Sequence, residues 1–104
     1  GDLQARNVLV ADGAVSGIID WGDICVGDPV TDLAPFWTVP PTREARLRAI
    51  KAYGPLSGAT LCRARAWAAF FGIILLDTGL TDHPQHAAMG AAILRRLRDE
   101  IQEP

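Results

Sequence analysis

The stretch Asn7-Val8-Leu9-Val10-Ala11-Asp12-Gly13-Ala14-Val15-Ser16-Gly17-Ile18-Ile19-Asp20 constrains this chain more than any other. Two runs of β-branched and apolar residues flank Asp12-Gly13, a dipeptide suited to a two-residue turn. The pattern predicts a hairpin with strands over Asn7–Ala11 and Val15–Asp20. A hairpin folds back on itself, so Asn7 and Asp20 must emerge at the same open end. Asp2 reaches that end as well, on the segment feeding the first strand. Three oxygen-bearing side chains therefore converge before any helix is placed. A two-stranded hairpin is marginal in water, so it must pack against the rest of the chain.

That remainder reads as helices. Asp28-Pro29 is a helix start, with Asp as N-cap and Pro at the first helical position. Val30, Leu33, Ala34 and Trp37 give this helix an apolar face, and Val39-Pro40-Pro41 stops it. Thr42 is placed to cap a helix over Arg43–Tyr53, ended by Gly54-Pro55. A third helix is expected over Gly58–Gly79. Its C-terminal half is apolar all round, which predicts a central core helix. The last helix follows Asp82 or His83, with Pro84 near its start. Met89, Ile93, Leu97 and Ile101 form its apolar stripe, and Arg95, Arg96, Arg98, Asp99 and Glu100 its wet side. The fold class is thus α+β, mainly helical: a β-hairpin followed by four helices.

Composition sets outer limits. Of the 104 residues 49% are apolar, enough for one small core and one domain. The net charge of −2 lacks the basic face a nucleic-acid binder needs, and leaves cationic substrates open. Cys25 and Cys62 stand far apart with no CxxC spacing, and read as two free thiols of a cytoplasmic protein. No signal peptide is visible. The apolar run Ala66–Leu76 is too short to span a bilayer, which takes about 20 residues, so it reads as a buried helix segment and no membrane partner is expected. Trp21, Trp37, Trp67, Phe70 and Phe71 read as core. The arginine runs Arg43–Arg48 and Arg63–Arg65 read as solvated faces, and His83 and His86 as exposed first-turn residues.

Asp and Asn beside turns commonly serve as caps and Asx-turns, and each of the three convergent residues has that reading when taken alone. Their joint spacing points further. Carboxylates and a carboxamide are hard oxygen ligands suited to Mg²⁺. A carboxylate beside such a metal, but not bound to it, can accept the proton of an attacking hydroxyl. Phosphoryl transfer needs this division of labour.

An Asp followed five residues later by Asn, then Asp-x-Gly after the next hairpin, resembles the catalytic loop and metal triplet of the protein-kinase fold. Asp2-Leu3-Gln4-Ala5-Arg6-Asn7 supplies the first part and Asp20-Trp21-Gly22 the second, with Trp in the place of Phe. GDLQARNVLV followed by GIIDWGDICVGDPVTDLA closely resembles the aminoglycoside phosphotransferase family, whose members phosphorylate antibiotics or small metabolites such as choline and homoserine. The resemblance is dense over residues 1–37 and only general, all-helical, beyond Thr42. It implies that Asp2 is the catalytic base and that Asn7 and Asp20 are the magnesium ligands. Leu9 and Ile19 would lie at the adenine cleft. Asp32 would be a buried aspartate on a helix bonding back to the catalytic loop; its other reading is an exposed Asp in a first helical turn, stabilised by the helix dipole. Asp23 and Asp28 follow the family's loop, though Asp28 is well explained as an N-cap alone.

The resemblance further implies Mg²⁺ and ATP as cofactor and co-substrate, and a small hydroxyl compound as acceptor, an aminoglycoside or similar antibiotic first. Residues 1–23 would form the catalytic and metal hairpin, and 28–104 a helical subdomain, together part of a kinase-like C-terminal lobe. Many relatives carry His where this chain has Gln4. The 104 residues hold no glycine-rich phosphate loop, no strand lysine with its Glu partner and no His ahead of Gly1. A fragment without these is expected to be inactive by itself. The alternatives are a fragment of a choline- or homoserine-type metabolite kinase, or a truncated non-catalytic helical module that self-associates, as a homodimer, through surface bared by truncation.

Overall fold

A computed structural model describes residues 2–102; Gly1, Glu103 and Pro104 lie outside the described residues. One turn of 3-10 helix, Ala5–Asn7, leads into strands β1 (Val8–Ala11) and β2 (Ala14–Ile18), which pair antiparallel. Asp12 and Gly13 both take positive φ, 52° and 77°, as a two-residue turn of this kind requires. The register shifts between Leu9 and Val10, pairing Leu9 with Gly17 but Val10 with Val15, so Ser16 is an extra residue in β2. Helices α1 (Pro35–Thr38), α2 (Arg43–Tyr53), α3 (Gly58–Thr81) and α4 (Pro84–Gln102) follow. The expected order of a hairpin and four helices is the observed one.

Caps account for most helix boundaries. Thr42 accepts a hydrogen bond from Ala45 N at 3.1 Å, and Gly54 ends α2 with φ 122°. Ser57, not foreseen as a cap, accepts from Thr60 N at 3.1 Å and starts α3. The helix expected from Asp28 to Trp37 is instead two pieces, a 3-10 turn over Pro29–Leu33 and the short α1. Pro35 is the reason: it has no N–H to continue the ladder, so the chain restarts there with Pro in the first position of α1. Asp28 does more than cap. Its carboxylate accepts from Val30 N at 3.0 Å and also meets Trp67 Nε1 at 3.3 Å and Arg63 Nη2 at 3.4 Å on α3. The Val30 N–H foremost, opposed by some desolvation, keeps the Asp28 carboxyl below its ordinary range.

The core lies where this 3-10 turn and α1 wedge against α3 and α4. Val30, Leu33, Ala34 and Trp37 meet Ala64 and Ala68 of α3 and Ile93 and Leu97 of α4. The residues of α3 that are buried are small: Ala64, Ala68, Gly72 and Gly79. They let α4 approach its backbone closely. A Cβ on Gly90 of α4 would stand 2.5 Å from Gly72 O and from Leu76 N, and one on Gly79 would collide with the Ala87 backbone.

Several burial expectations are corrected. α3 is packed along one side only, by α4 and the 3-10 turn, so Phe70, Ile73, Ile74 and Leu80 are exposed, and the Ala66–Leu76 segment is not uniformly core. Among the described residues α3 is the one helix long and apolar enough to cross a membrane by length and composition, with 17% of its apolar window buried. Trp21 is exposed, as are Val10 and Val15 on the hairpin. Ile101 is exposed because α4 has run past the end of the core. Cys25 and Cys62 are exposed free thiols.

The arginine faces are not all solvated. Arg46 is 2% exposed, and its Nε donates to Glu100 Oε1 at 2.7 Å. Arg65 Nε reaches the other Glu100 oxygen at 3.2 Å while its guanidinium lies 5.7 Å above the buried Trp37 ring. Arg96, expected on the wet side, turns inward. Its Nη1 donates to Trp37 O at 2.8 Å and Thr38 O at 3.2 Å, satisfying the last carbonyls of α1. Burial by itself would raise the Glu100 carboxyl, but hydrogen bonds from Arg46 and Arg65 outweigh it and hold the carboxyl below the usual glutamate range.

Two outcomes follow. Gly90→Ala forces a methyl into backbone that cannot turn aside, and should cost about 3 kcal/mol or more in urea unfolding. Because the folded Glu100 carboxyl is held down, its stabilisation is full above the unfolded glutamate value and is lost as pH falls through the folded one. Glu100→Gln should cost about 3 kcal/mol at neutral pH, by stranding the Arg46 cation, and should flatten the acid limb of a stability–pH curve.

Candidate active site

The site is built on Asn7. Its backbone N–H bonds to Gln4 O at 2.9 Å, closing the 3-10 turn, so strand β1 starts one residue later than the sequence suggests. Its own carbonyl accepts from Ile19 N at 2.9 Å, which closes the base of the hairpin beyond the Val8–Ile18 pair. Its side chain is buried and donates Nδ2 to Asp2 O at 3.0 Å. One residue thus ties the segment carrying Asp2 to both strands.

Asp20 ends the hairpin by its backbone. Its φ of 65° is left-handed, a conformation that Asp tolerates better than most residues but that ends a strand, so β2 stops at Ile18. The loop beyond is closed by Trp21 Nε1 donating to Ile18 O at 2.9 Å and by Ile24 N donating to Trp21 O at 3.1 Å.

A cavity of about 230 Å³ opens at this rim. Four carboxylates line it, those of Asp2, Asp20, Asp23 and Asp32, together with Ile19 and the Trp21 ring. Asp2 Oδ1 accepts a 2.7 Å hydrogen bond from Gln4 Nε2, so Gln4 steadies the very carboxylate expected to act as base. Asp2, Ile19, Asp20 and Asp32 are therefore brought together, with Asn7 behind Asp2 rather than in the cavity wall. Leu9 stands apart: it is exposed on β1, over Gly17 of β2. Asp32 lies in the 3-10 turn and is exposed, not buried as expected, because that turn presents Val30 and Leu33 to the core and Asp32 to the rim. Asp23 is a cavity residue to which the sequence assigned no role. Its place in the loop directly after the Asp-x-Gly triplet was the available signal.

Asn7 and Asp20 carry oxygen atoms of the hard kind a divalent cation takes, with Asn7 seated behind Asp2 and Asp20 in the cavity wall. With Nδ2 of Asn7 committed to Asp2 O, the carboxamide oxygen is the end left for a metal, and Asp20 adds a carboxylate. Among the described residues no three His, Cys, Asp or Glu side chains are grouped to hold a metal by themselves. Asn7 and Asp20 would therefore share a cation with waters and phosphate oxygens, as magnesium sites commonly do. The rings of His83 and His86 lie 4.8 Å apart and tilted by 37° at the start of α4, away from this rim.

A model of the phosphotransferase enzyme family (APH) matches residues 1–71, that is, the hairpin, the acidic loop, α1, α2 and the first half of α3. The chain belongs to the phosphotransferase enzyme family, a family of kinase-type enzymes. Searches among curated proteins and among solved structures return no match.

Asn7→Ala should cost about 1–3 kcal/mol, by removing a buried donor from a half-buried carbonyl, with loss of amide-exchange protection at Ile19. Asp20→Gly should be at least as stable as wild type while Asp20→Val is destabilised by about 1–2 kcal/mol, because only the latter resists a φ of 65°. Thermal unfolding of the two variants distinguishes them.

Proposed function

We propose that this chain is the catalytic-loop and metal-binding portion, in the C-terminal lobe, of an ATP-dependent small-molecule kinase that transfers the γ-phosphoryl group to a substrate hydroxyl. One observation carries the reading: Asp2 and Asp20 line one cavity, braced by Asn7, within a stretch that matches the phosphotransferase family. Asp2 accepts the hydroxyl proton, and the 2.7 Å bond from Gln4 keeps its carboxylate turned to one position. Asn7 and Asp20 hold Mg²⁺, which when bound neutralises charge on the phosphate oxygens. Ile19 borders the nucleotide on the cavity side, and Leu9 is assigned to the adenine face by resemblance alone. Asp23 and Asp32 add negative charge at the rim, where a cation would be drawn.

Two classes of acceptor have support. The four carboxylates suit a cationic antibiotic of the aminoglycoside kind. A compact metabolite alcohol is favoured by a second, smaller and more apolar cavity that also reaches Asp2.

The 104 residues alone should show no ATP-dependent phosphorylation of either class, since they hold no phosphate loop. Set behind a nucleotide-binding lobe, the chain should turn over. There Asp2→Asn should lower kcat about 10²–10⁴-fold with little change in KM. Asn7→Ala and Asp20→Ala should each raise the Mg²⁺ concentration required. Steady-state assays over a Mg²⁺ series check this, and full activity in the Asn7→Ala/Asp20→Ala double variant would falsify the assignment.

A further inference from the structure

The second cavity, of about 150 Å³, shares Asp2 and Leu3 with the first but otherwise opens onto the helices. Pro35 of α1, Phe71 and Leu75 of α3 and Met89 of α4 give it apolar walls. Gln4 lines it too, and the two ends of the Gln4 amide have different fates. An ionised carboxylate only accepts, so the end 2.7 Å from Asp2 Oδ1 must be the nitrogen. That leaves Oε1, which is buried and has no partner among the described residues. A buried orphan acceptor is costly, and the natural remedy is a donor brought by a ligand.

The size and lining restrict that ligand. An apolar cavity of on the order of 150 Å³ accommodates a molecule the size of benzene. Asp2 is the one carboxylate in the lining, against four in the first cavity, so a polycation would gain little here.

The geometry points to this second cavity as the seat of the phosphoryl acceptor: a compact, largely apolar alcohol whose reacting hydroxyl meets Asp2 and whose second N–H or O–H donor is taken by Gln4 Oε1. The acceptor role rests on the kinase reading above; the binding site does not. In the transfer, the hydroxyl proton passes to Asp2 as the oxygen bonds to the γ-phosphorus of ATP. The bond from that phosphorus to the β–γ bridging oxygen breaks, and its electron pair leaves with ADP. Gln4 is then both a positioning residue for Asp2 and a selector of the acceptor.

NMR titration of the 104-residue chain tests the site without ATP or metal. The probes are 3-methylbutane-1,3-diol, compact and apolar-bodied, and 2-deoxystreptamine, a larger trihydroxylated ring carrying two amines. The diol should shift the Gln4 side-chain amide and the Met89 methyl saturably, and 2-deoxystreptamine should not. Gln4→Met should weaken the diol about tenfold through loss of one hydrogen bond. Ile74→Trp, at a partly exposed lining position that tolerates a larger side chain, should abolish binding and carries the test if Gln4→Met does not fold.

Diol shifts confined to Asp20–Ile24, undiminished affinity in Gln4→Met, preference for 2-deoxystreptamine, or no saturable binding would each overturn the proposal. With a nucleotide lobe and MgATP supplied, diol that binds here but is never phosphorylated overturns the acceptor role alone. Phosphorylation indifferent to Ile74→Trp overturns this site and leaves the kinase reading standing.

Discussion

Everything at the rim depends on one buried carboxamide. Asn7 has few neighbours in sequence to hold it, yet its N–H, its carbonyl and its Nδ2 are all engaged within the turn and the hairpin base. Those three bonds fix where the chain turns, where β1 begins and where Asp2 lies. They also orient the residue's own oxygen by elimination, since the nitrogen end is taken. A leucine in its place would keep the two backbone bonds but leave the Asp2 carbonyl without its Nδ2 donor, and the penalty would fall on the segment that carries the chemistry.

The helical part is organised on a different economy. α3 and α4 approach backbone to backbone at Gly79 and Gly90, and Gly72 makes room for the Ile93 and Leu94 side chains. Small residues give up apolar area but permit dense contact along the whole pair, and that contact supports the wedge of Leu33, Ala34 and Trp37. Charge closes the far end of the core. Glu100 answers Arg46 and Arg65, while Arg96 satisfies the carbonyls at the end of α1, so the C-terminal turns of α4 clamp α1 and α2 to the body.

Much of this could be read in the sequence because it is local. Asp12-Gly13 sets the hairpin, Thr42 and Gly54 bound α2, and the spacing from Asp2 to Asn7 to Asp20 carried the family. The misreadings concern which neighbour each residue meets. Periodicity marks α3 as apolar all round but does not say that only its Ala and Gly positions are covered. An arginine run looks solvated until a glutamate 54 residues away is folded onto Arg46. Pro35 was in plain view, and the apolar spacing of Val30, Leu33 and Trp37 masked the break it makes. Asp32, expected as a buried aspartate on a helix, is instead exposed at the cavity rim, because the 3-10 turn rotates successive residues differently from an α-helix.

The three tryptophans stand in three different settings. Trp37 is fully buried in the core, Trp67 is half-buried against Asp28, and Trp21 is 63% exposed in the wall of the acidic cavity. Their emission therefore separates by colour and by access to quenchers. Acrylamide or iodide will reach Trp21 first and Trp37 last. The molecule carries its own optical labels, one reporting what enters the cavity and another whether the core is intact.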